Sequence, residues 1–339
     1  MDHASCLTVL VLDHRPQYLC TSHSSLLTMP IGGASLLQYI VSQISRSLGA
    51  NSPTLVPTFE ITAEYIQATQ QIMPGVCIQG AEEAPERLGD LEPSDWVLIV
   101  DPAMWPAEGL DLVRMGGEIR DARVATHLIT LASEPGLTGE RIQLDASNRI
   151  RRIQRSYFGI TDLRSSGVVA SMIPVSALRS LSGSLQLEPV ELRGRMSANG
   201  LPIRDITAPG IALNLRDKVQ MLNFNKLVLK QKIPHFLPWG QSASSNAGVF
   251  REQGVAVHGT ARLIGPVVLR ENCKIGAGAV LLGPVVVGRN AEVGSKAVVA
   301  NTILDHGTQV PADAVFCDQI AGEKLEHALS VERIPQILK

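Results

Sequence analysis

Two aspartates and a scatter of basic residues are the groups in this chain whose chemistry could serve a reaction. Asp101 closes a strand-like run in "DWVLIVDPAMW" (Asp95–Trp105). Its carboxylate therefore stands at a strand's carboxyl end, the edge where ligands bind in open α/β sheets. Asp205 sits in a matching context in "IRDITAPGIALNL" (Ile203–Leu215). Two hard oxygen ligands on separate elements could hold Mg2+ together with the phosphates of a ligand. Arg15, on "DHRPQYLCTSHS" (Asp13–Ser24), and the cluster Arg149, Arg151, Arg152 and Arg155 could meet the same phosphates, because a guanidinium is a competent phosphate ligand. A plainer reading stands beside each of these. An aspartate before proline commonly opens a turn, Asp205 reads equally as a polar loop residue, and alternating arginines on a hairpin form a solvated face.

The elements that would position these groups read as two halves with different periods. Up to residue 232 the chain alternates candidate strands (Leu7–Leu12, Trp96–Val100, Thr126–Leu131 and Val168–Ile173) with helix-like stretches such as Ala34–Leu48 and Ile61–Ile72. That alternation predicts an α/β domain over 1–232 with a largely parallel sheet. "ERIQLDASNRIRRIQR" (Glu140–Arg155) departs from it, with two alternating runs around Ala146-Ser147-Asn148 that signal a hairpin. A helix is expected over Leu213–Leu229, with Leu215, Val219 and Leu222 on one face. Pro238–Gly248 then reads as a connector.

From Val255 onward another rule takes over. Every sixth residue is aliphatic: Val257, Leu263, Leu269, Ile275, Leu281, Val287, Val293 and Val299. Two places before each lies a small, largely apolar residue. A six-residue period is the signature of a parallel β-helix, in which three short strands complete one coil. Gly276, Gly288 and Gly294 follow the large aliphatics, where a tight turn would need glycine. The β-helix is expected over 250–320, with the remainder, 321–339, as a C-terminal capping tail covering the open end.

Bulk composition narrows the class. At 339 residues the chain can bury two real cores. A hydrophobic share of 45%, a charged share of 18% and a formal net charge of −2 give no argument for nucleic acid or an anionic membrane as partner. Cys6, Cys20, Cys77, Cys273 and Cys317 are odd in number and scattered, which predicts reduced thiols and a cytoplasmic setting. No leader peptide and no bilayer-length apolar run are visible.

An α/β half followed by hexads resembles the sugar-1-phosphate nucleotidyltransferases that carry a left-handed hexapeptide β-helix. Several stretches fit in order. "PIGGASLLQYI" (Pro30–Ile40) looks like the turn and helix after that family's signature loop, and "DWVLIVDPAMW" like the strand ending in its metal-binding aspartate. "IQLDASNRIRRIQR" resembles the hairpin between base and sugar subsites, "SSGVV" (Ser165–Val169) the Asn-Ala-Gly strand, and "IRDITAPGIALNL" the second aspartate segment. The resemblance implies a Rossmann-like nucleotidyltransferase domain, with Mg2+ on Asp101 and Asp205. It also implies nucleotide phosphates at Arg15, Gly32 and Gly33, and sugar at Ser165 and Gly167. No catalytic residue is assigned.

Several of the family's parts are missing. The Gly-x-Gly-Thr-Arg loop is replaced by "DHRPQYLCTSHS", which lacks glycine and is shorter. The expected loop lysine aligns with Leu26, the Glu-Lys pair with Arg155 and Ser156, and the asparagine with Ser165; "EEAPERLGD" (Glu82–Asp90) occupies the place of the base-recognition motif. Without glycine, backbone cannot readily approach phosphate. Coordinated loss predicts a nucleotidyltransferase-like pseudoenzyme of nucleotide-sugar and polysaccharide metabolism, acting as a regulatory or scaffolding subunit. Its expected partners are a nucleotide or nucleotide-sugar, and a second copy or another subunit bound through the β-helix. The alternative is an active Mg2+-dependent enzyme with a divergent loop. A hexapeptide acyltransferase ranks lower: its histidine base would have to be His258 or His306, both of which read as surface residues on turns.

Overall fold

The computed structural model describes residues 7–19, 23–48, 53–83, 88, 90–106, 124–131, 139–144, 150–156, 166–181, 188–208, 212–230, 244–246 and 248–322. The chain divides into two compact units. The first comprises Met1–Pro16, Ser25–Thr28 and Leu37–Gln220; the second comprises Gln17–Ser24, Met29–Leu36 and Met221–Lys339. This division differs from a single boundary near 232–250, because two short N-terminal pieces belong with the C-terminal half. Among the described residues no helix is long and apolar enough to cross a membrane.

The first unit is built on a sheet of β1 (Leu7–Asp13), β2 (Thr54–Pro57), β3 (Cys77–Ile78), β4 (Trp96–Val100), β5 (Ala125–Leu131), β6 (Ser166–Pro174) and β7 (Ile203–Thr207). Its spatial order is β7-β5-β6-β4-β1-β2-β3. β1 is a near-continuous apolar run because it is covered on both faces and paired in parallel on both sides, by β2 (Asp13↔Pro57) and β4 (Val11↔Val100). One strand runs the other way: β6 is antiparallel to both β4 and β5. All four expected strands form, each within a residue or two of the boundaries their apolar runs suggest.

Helices α1 (Leu36–Leu48), α2 (Ala63–Ile72), α3 (Val175–Arg179) and α4 (Pro189–Ala198) belong to the same unit. α2 starts where the Thr62 hydroxyl accepts the Tyr65 amide at 3.2 Å, an N-cap that sets its first turn two residues after Ile61. α4 opens on Pro189 and sends Leu192 and Met196 into a core with Leu10, Val97, Ile99 and Ile173. The expected helix over Leu213–Leu229 is shorter. α5 spans Lys218–Leu229, while Ala212–Asn214 is a strand paired antiparallel with Met104–Pro106. Leu215 is buried ahead of the helix and Val219 is 59% exposed, so the three-residue apolar face does not exist. Asp217 is the reason: its carboxylate accepts the Gln220 amide at 2.9 Å and starts the helix there.

The predicted hairpin forms from Gly139–Leu144 and Ile150–Ser156. Arg149 and the side chains of Arg151, Arg152 and Arg155 lie outside the described residues.

The second unit is a parallel β-helix. Val257 pairs with Ile275 and Ile275 with Val293, a step of 18 residues, whereas Val293 pairs with Val310, a step of 17. Equivalent columns run Leu263-Leu281-Val299-Phe316 and Leu269-Val287-Leu304-Ala321. These aliphatics face inward and build the core. The array extends one coil beyond the hexad series, because five rather than six residues separate Val299 from Leu304. Residues 323–339, the expected cap, lie outside the described residues.

Gly276, Gly288 and Gly294 do not owe their place to positive φ; none adopts it. A Cβ on Gly294 would lie 2.5 Å from the Ala312 amide nitrogen of the next coil. Close approach of stacked backbones therefore selects glycine here. Gly294→Ala is expected to cost about 2 kcal/mol by overpacking against rigid backbone. Gly259, where a Cβ would meet nothing within 4 Å, supplies the control substitution. Equal urea midpoints for the two alanine variants would remove this explanation.

One outer face of the coils is covered. Pro30–Ile31 and Ala34–Ser35 form a hairpin with Gly32, at φ 55°, in its turn. Strand Pro30–Ile31 contacts strands Val280–Val287 and Val298–Leu304, whose outward-facing Val286 and Ile303 are fully buried. The "PIGG" turn thus packs on the coils before α1 begins. Ser24 adds a hydroxyl hydrogen bond to the buried carboxylate of Asp305.

Candidate functional site

The carboxyl ends of β1 and β4 lie side by side, and the residues that follow them meet there. His14 directly follows β1, and Asp101 directly follows β4. The His14 Nε2 donates to Asp101 Oδ1 at 2.8 Å, with both side chains almost wholly enclosed. The same Oδ1 accepts the Ala103 amide at 2.8 Å, so Asp101 also organises the turn that its proline neighbour announced. Arg216 completes the cluster. A terminal nitrogen of its guanidinium lies 3.1 Å from His14 Nε2, 3.9 Å from Asp101 Oδ2 and 3.5 Å from Glu188. Burial alone would push the Asp101 carboxyl up. The His14 charge and hydrogen bond, then the Arg216 charge and the Ala103 amide, outweigh burial and hold it below the usual carboxylate range.

A second buried carboxylate braces this cluster. Asp13, the last residue of β1, accepts the Leu27 amide at 3.1 Å and the Tyr65 hydroxyl at 2.8 Å. Burial dominates over these bonds and pushes its carboxyl up. The Asp13 carbonyl accepts from Thr58, whose hydroxyl lies 3.0 Å from His14 Nδ1. Both nitrogens of the His14 ring are therefore engaged within the protein. Backbone donors after the altered loop are likewise spent locally: Leu26 N–H goes to the His14 carbonyl at 2.8 Å and Ser25 N–H to Thr28 Oγ at 2.9 Å.

The other residues singled out in the sequence are dispersed. Asp205 on β7 is opposite His127 of β5, which is opposite Ser171 of β6, which is opposite Ile99 of β4. Three strand spacings, about 14 Å, thus separate Asp205 from the Asp101 strand. The Asp205 carboxylate is gripped by both Nε and a terminal nitrogen of Arg193 on α4. Arg15 lays its guanidinium 4.1 Å above the Phe59 ring. Gly32 and Gly33 are buried in the hairpin of the second unit. Gly167 is buried on β6 and leaves room for Met104, which a Cβ would approach to 2.6 Å. Ser165 lies outside the described residues. His258 is exposed on its turn, with Nδ1 2.9 Å from Thr260 Oγ1. His306 is half-buried on its turn rather than freely exposed: its Nδ1 accepts the Arg289 amide at 2.9 Å, and burial lowers its pKa to about 4.

These residues do not fit a shared Mg2+. Asp101 Oδ1 is taken by His14 and Ala103 and its Oδ2 faces the Arg216 cation at 3.9 Å, while both Asp205 oxygens are bound by Arg193. Among the described residues, no group of three or more His, Cys, Asp or Glu side chains is placed to hold a metal ion. His14, Arg216, Glu188 and Thr58 were not singled out by sequence. Only His14 offered a signal, as a lone imidazole at a strand's carboxyl end.

A mixed α/β sheet with a carboxylate at the end of a central strand, followed in the chain by coils of hexapeptide type, defines a nucleotidyltransferase-like fold joined to a parallel β-helix. The family model described as bacterial transferase hexapeptide (six repeats) matches residues 266–301, a part of the coiled array. A Bacillus anthracis structure described as a glucose-1-phosphate thymidylyltransferase in complex with sucrose is similar in fold. It aligns over 66% of this chain and 95% of its own, with a TM-score of 0.51 and 11% identity. No curated protein matches the chain.

Proposed function

We propose that this chain is a sugar nucleotidyltransferase-like protein that no longer transfers nucleotides and serves nucleotide-sugar metabolism as a regulatory or scaffolding subunit. The Asp101 cluster carries this reading. In a working enzyme of this type, the carboxylate at the end of the central strand must present a free oxygen to the cation that bridges it to phosphate. Here Oδ1 is hydrogen-bonded to His14 and Ala103, and Oδ2 faces the Arg216 guanidinium at 3.9 Å, so the chain's own side chains supply positive charge where Mg2+ would. A missing Gly-rich loop and a missing loop lysine agree with it, because they remove the backbone donors and the cation that hold a triphosphate.

The test is direct. Purified protein is incubated with Mg2+, each common nucleoside triphosphate and a panel of sugar 1-phosphates, and pyrophosphate is followed. No release above a protein-free control is expected for any pair. Turnover that Asp101→Ala abolishes would instead establish the active enzyme with a divergent loop. A separate melting experiment with nucleotide-sugars reports whether the fold retains a ligand, since a bound ligand raises the melting temperature by mass action.

A further inference from the structure

Three neighbouring parallel strands are each followed directly by a side chain able to take part in acid–base chemistry. In the sheet of the first unit, β2, β1 and β4 lie side by side. Asp13 of β1 is opposite Pro57 of β2, so the next residues, His14 and Thr58, leave the sheet together. Val11 is opposite Val100 of β4, which brings Asp101 to the other side of His14. The three side chains form one chain of contacts across the strand ends. Thr58 Oγ1 lies 3.0 Å from His14 Nδ1, and His14 Nε2 lies 2.8 Å from Asp101 Oδ1. Asp101 and His14 are 6% and 5% exposed, whereas Thr58 is an exposed residue. A hydroxyl at the surface, an imidazole behind it and an enclosed carboxylate behind that is the arrangement of an activated nucleophile.

The ring's protons are assigned by what faces each nitrogen. A carboxylate only accepts, so Nε2 carries the proton that Asp101 receives. In the neutral ring Nδ1 then holds the lone pair, turned to Thr58. The Thr58 hydroxyl also lies 3.0 Å from the Asp13 carbonyl, but that carbonyl already accepts the Thr58 amide at 2.9 Å. Turning the hydroxyl proton to Nδ1 therefore leaves no group unpaired. A terminal nitrogen of Arg216 lies 3.2 Å from the same Nδ1, on a side chain that is partly exposed. It sets a cation beside the place where a carbonyl oxygen under attack would gain charge.

The geometry points to an ester-cleaving activity at Thr58, with His14 as general base and Asp101 as the positioning residue of the ring. The Thr58 oxygen attacks the carbonyl carbon of a carboxylic ester while its proton passes to His14 Nδ1. The bond to the leaving alcohol breaks, and the departing alkoxide takes that proton. The acyl group stays on Thr58 until water, deprotonated by the same nitrogen, releases it as a carboxylic acid and restores the hydroxyl. Asp101 stabilises the imidazolium formed in each half. Only ester and water are consumed. The surroundings set the substrate class. Thr58 is exposed, and the charged side chains near it, Arg216 and Glu188, are partly exposed. Short acyl groups on polar alcohols suit such a site, since long acyl chains need an apolar trough. The inference rests on the same internally engaged Asp101 that argues against nucleotide transfer.

The full-length chain is incubated with p-nitrophenyl acetate and EDTA, without nucleotide, and acetyl groups are located by peptide mass spectrometry. Acetyl is expected on Thr58, with nitrophenolate released in repeated turnover. Thr58→Val, at an exposed position, should lower turnover at least tenfold with the melting temperature unchanged, and Thr58→Ser should retain it. Asp101→Asn should lower kcat at least tenfold and leave KM unchanged, the split expected of a residue that acts through His14. Thr260 supplies an internal control. Its hydroxyl lies 2.9 Å from His258 Nδ1, but both residues are exposed, so no enclosed ring activates it and it should stay unacetylated. An inactive wild type, equal turnover in wild type and Thr58→Val, or acetyl on Thr260 as readily as on Thr58 would overturn the assignment. Pyrophosphate release in the nucleotide assay strikes the lost-transfer reading, whereas an unreactive Thr58 strikes this inference alone.

Discussion

Replacing His14 by alanine is expected to lower the stability of the first unit by about 3–5 kcal/mol, the cost of leaving a buried charge without its partner. Asp101 is only 6% exposed, and its carboxylate is held ionised chiefly by His14. With the imidazole gone, Oδ1 keeps the Ala103 amide alone, and Arg216, at 3.9 Å from Oδ2, is too distant to replace a direct hydrogen bond. The companion variant Asp101→Asn removes the charge and retains an acceptor for Ala103. Combining the two should therefore recover a large part of the loss, and urea unfolding of the four proteins gives the coupling directly. Additive losses would mean that the two side chains do not sense each other, and the central argument for an internally neutralised carboxylate would go with them.

Acidification should weaken the same unit through a different residue. His127 is fully buried, with Nδ1 2.8 Å from Ser171 Oγ, and burial lowers its pKa to about 4 from 6.5. The unfolded chain therefore takes up a proton near pH 6.5 while the folded one resists until about 4. Between those limits the unfolded state binds more protons, so stability falls as pH falls, by about 3 kcal/mol across the whole window. Below it both states are protonated and this contribution stops changing. Asp13 acts in the opposite sense, since its raised carboxyl is relieved by a proton. The quantity to measure is accordingly the difference between wild type and His127→Gln in urea midpoints at pH 7 and 4.5. A wild type that loses no more than the variant over that interval would sink the assignment. His306 imposes the same direction on the second unit, because protonating Nδ1 breaks its bond from the Arg289 amide.

The two halves were legible in the sequence to different depths. Strand Leu7–Asp13 was readable because a doubly covered parallel strand must be apolar throughout. The coils were readable because one inward position recurs at fixed spacing. Reading stopped at Val299 because a missing residue shifts the phase there, although coil pairing absorbs it by shortening the later coils from 18 to 17 residues. The glycines were found but explained by the wrong cause, since proximity of the next coil leaves no mark in a local motif. The candidate site was the least legible part. Its argument depends on His14 meeting Arg216, 202 positions away, and on Asp205 being drawn to Arg193 on a neighbouring helix. A motif comparison marks where such carboxylates stand along the chain. It does not say which cations the fold will bring to them.

The hairpin at Pro30–Ser35 has a consequence for how the molecule is made. It leaves the ribosome long before the strand it rests on, Val298–Leu304. At ordinary translation speeds the wait between them is about 10–50 s. Throughout that interval the hairpin and its flanking residues lack the completed coils to dock against, so the second unit is completed only once Val298–Leu304 has emerged, by closing an early segment onto a late one. A β-helix expressed without residues 1–36 would emerge with Val286 and Ile303 stripped of the strand that rests on theirs. Such a fragment is a candidate for chaperone capture rather than an independently soluble module.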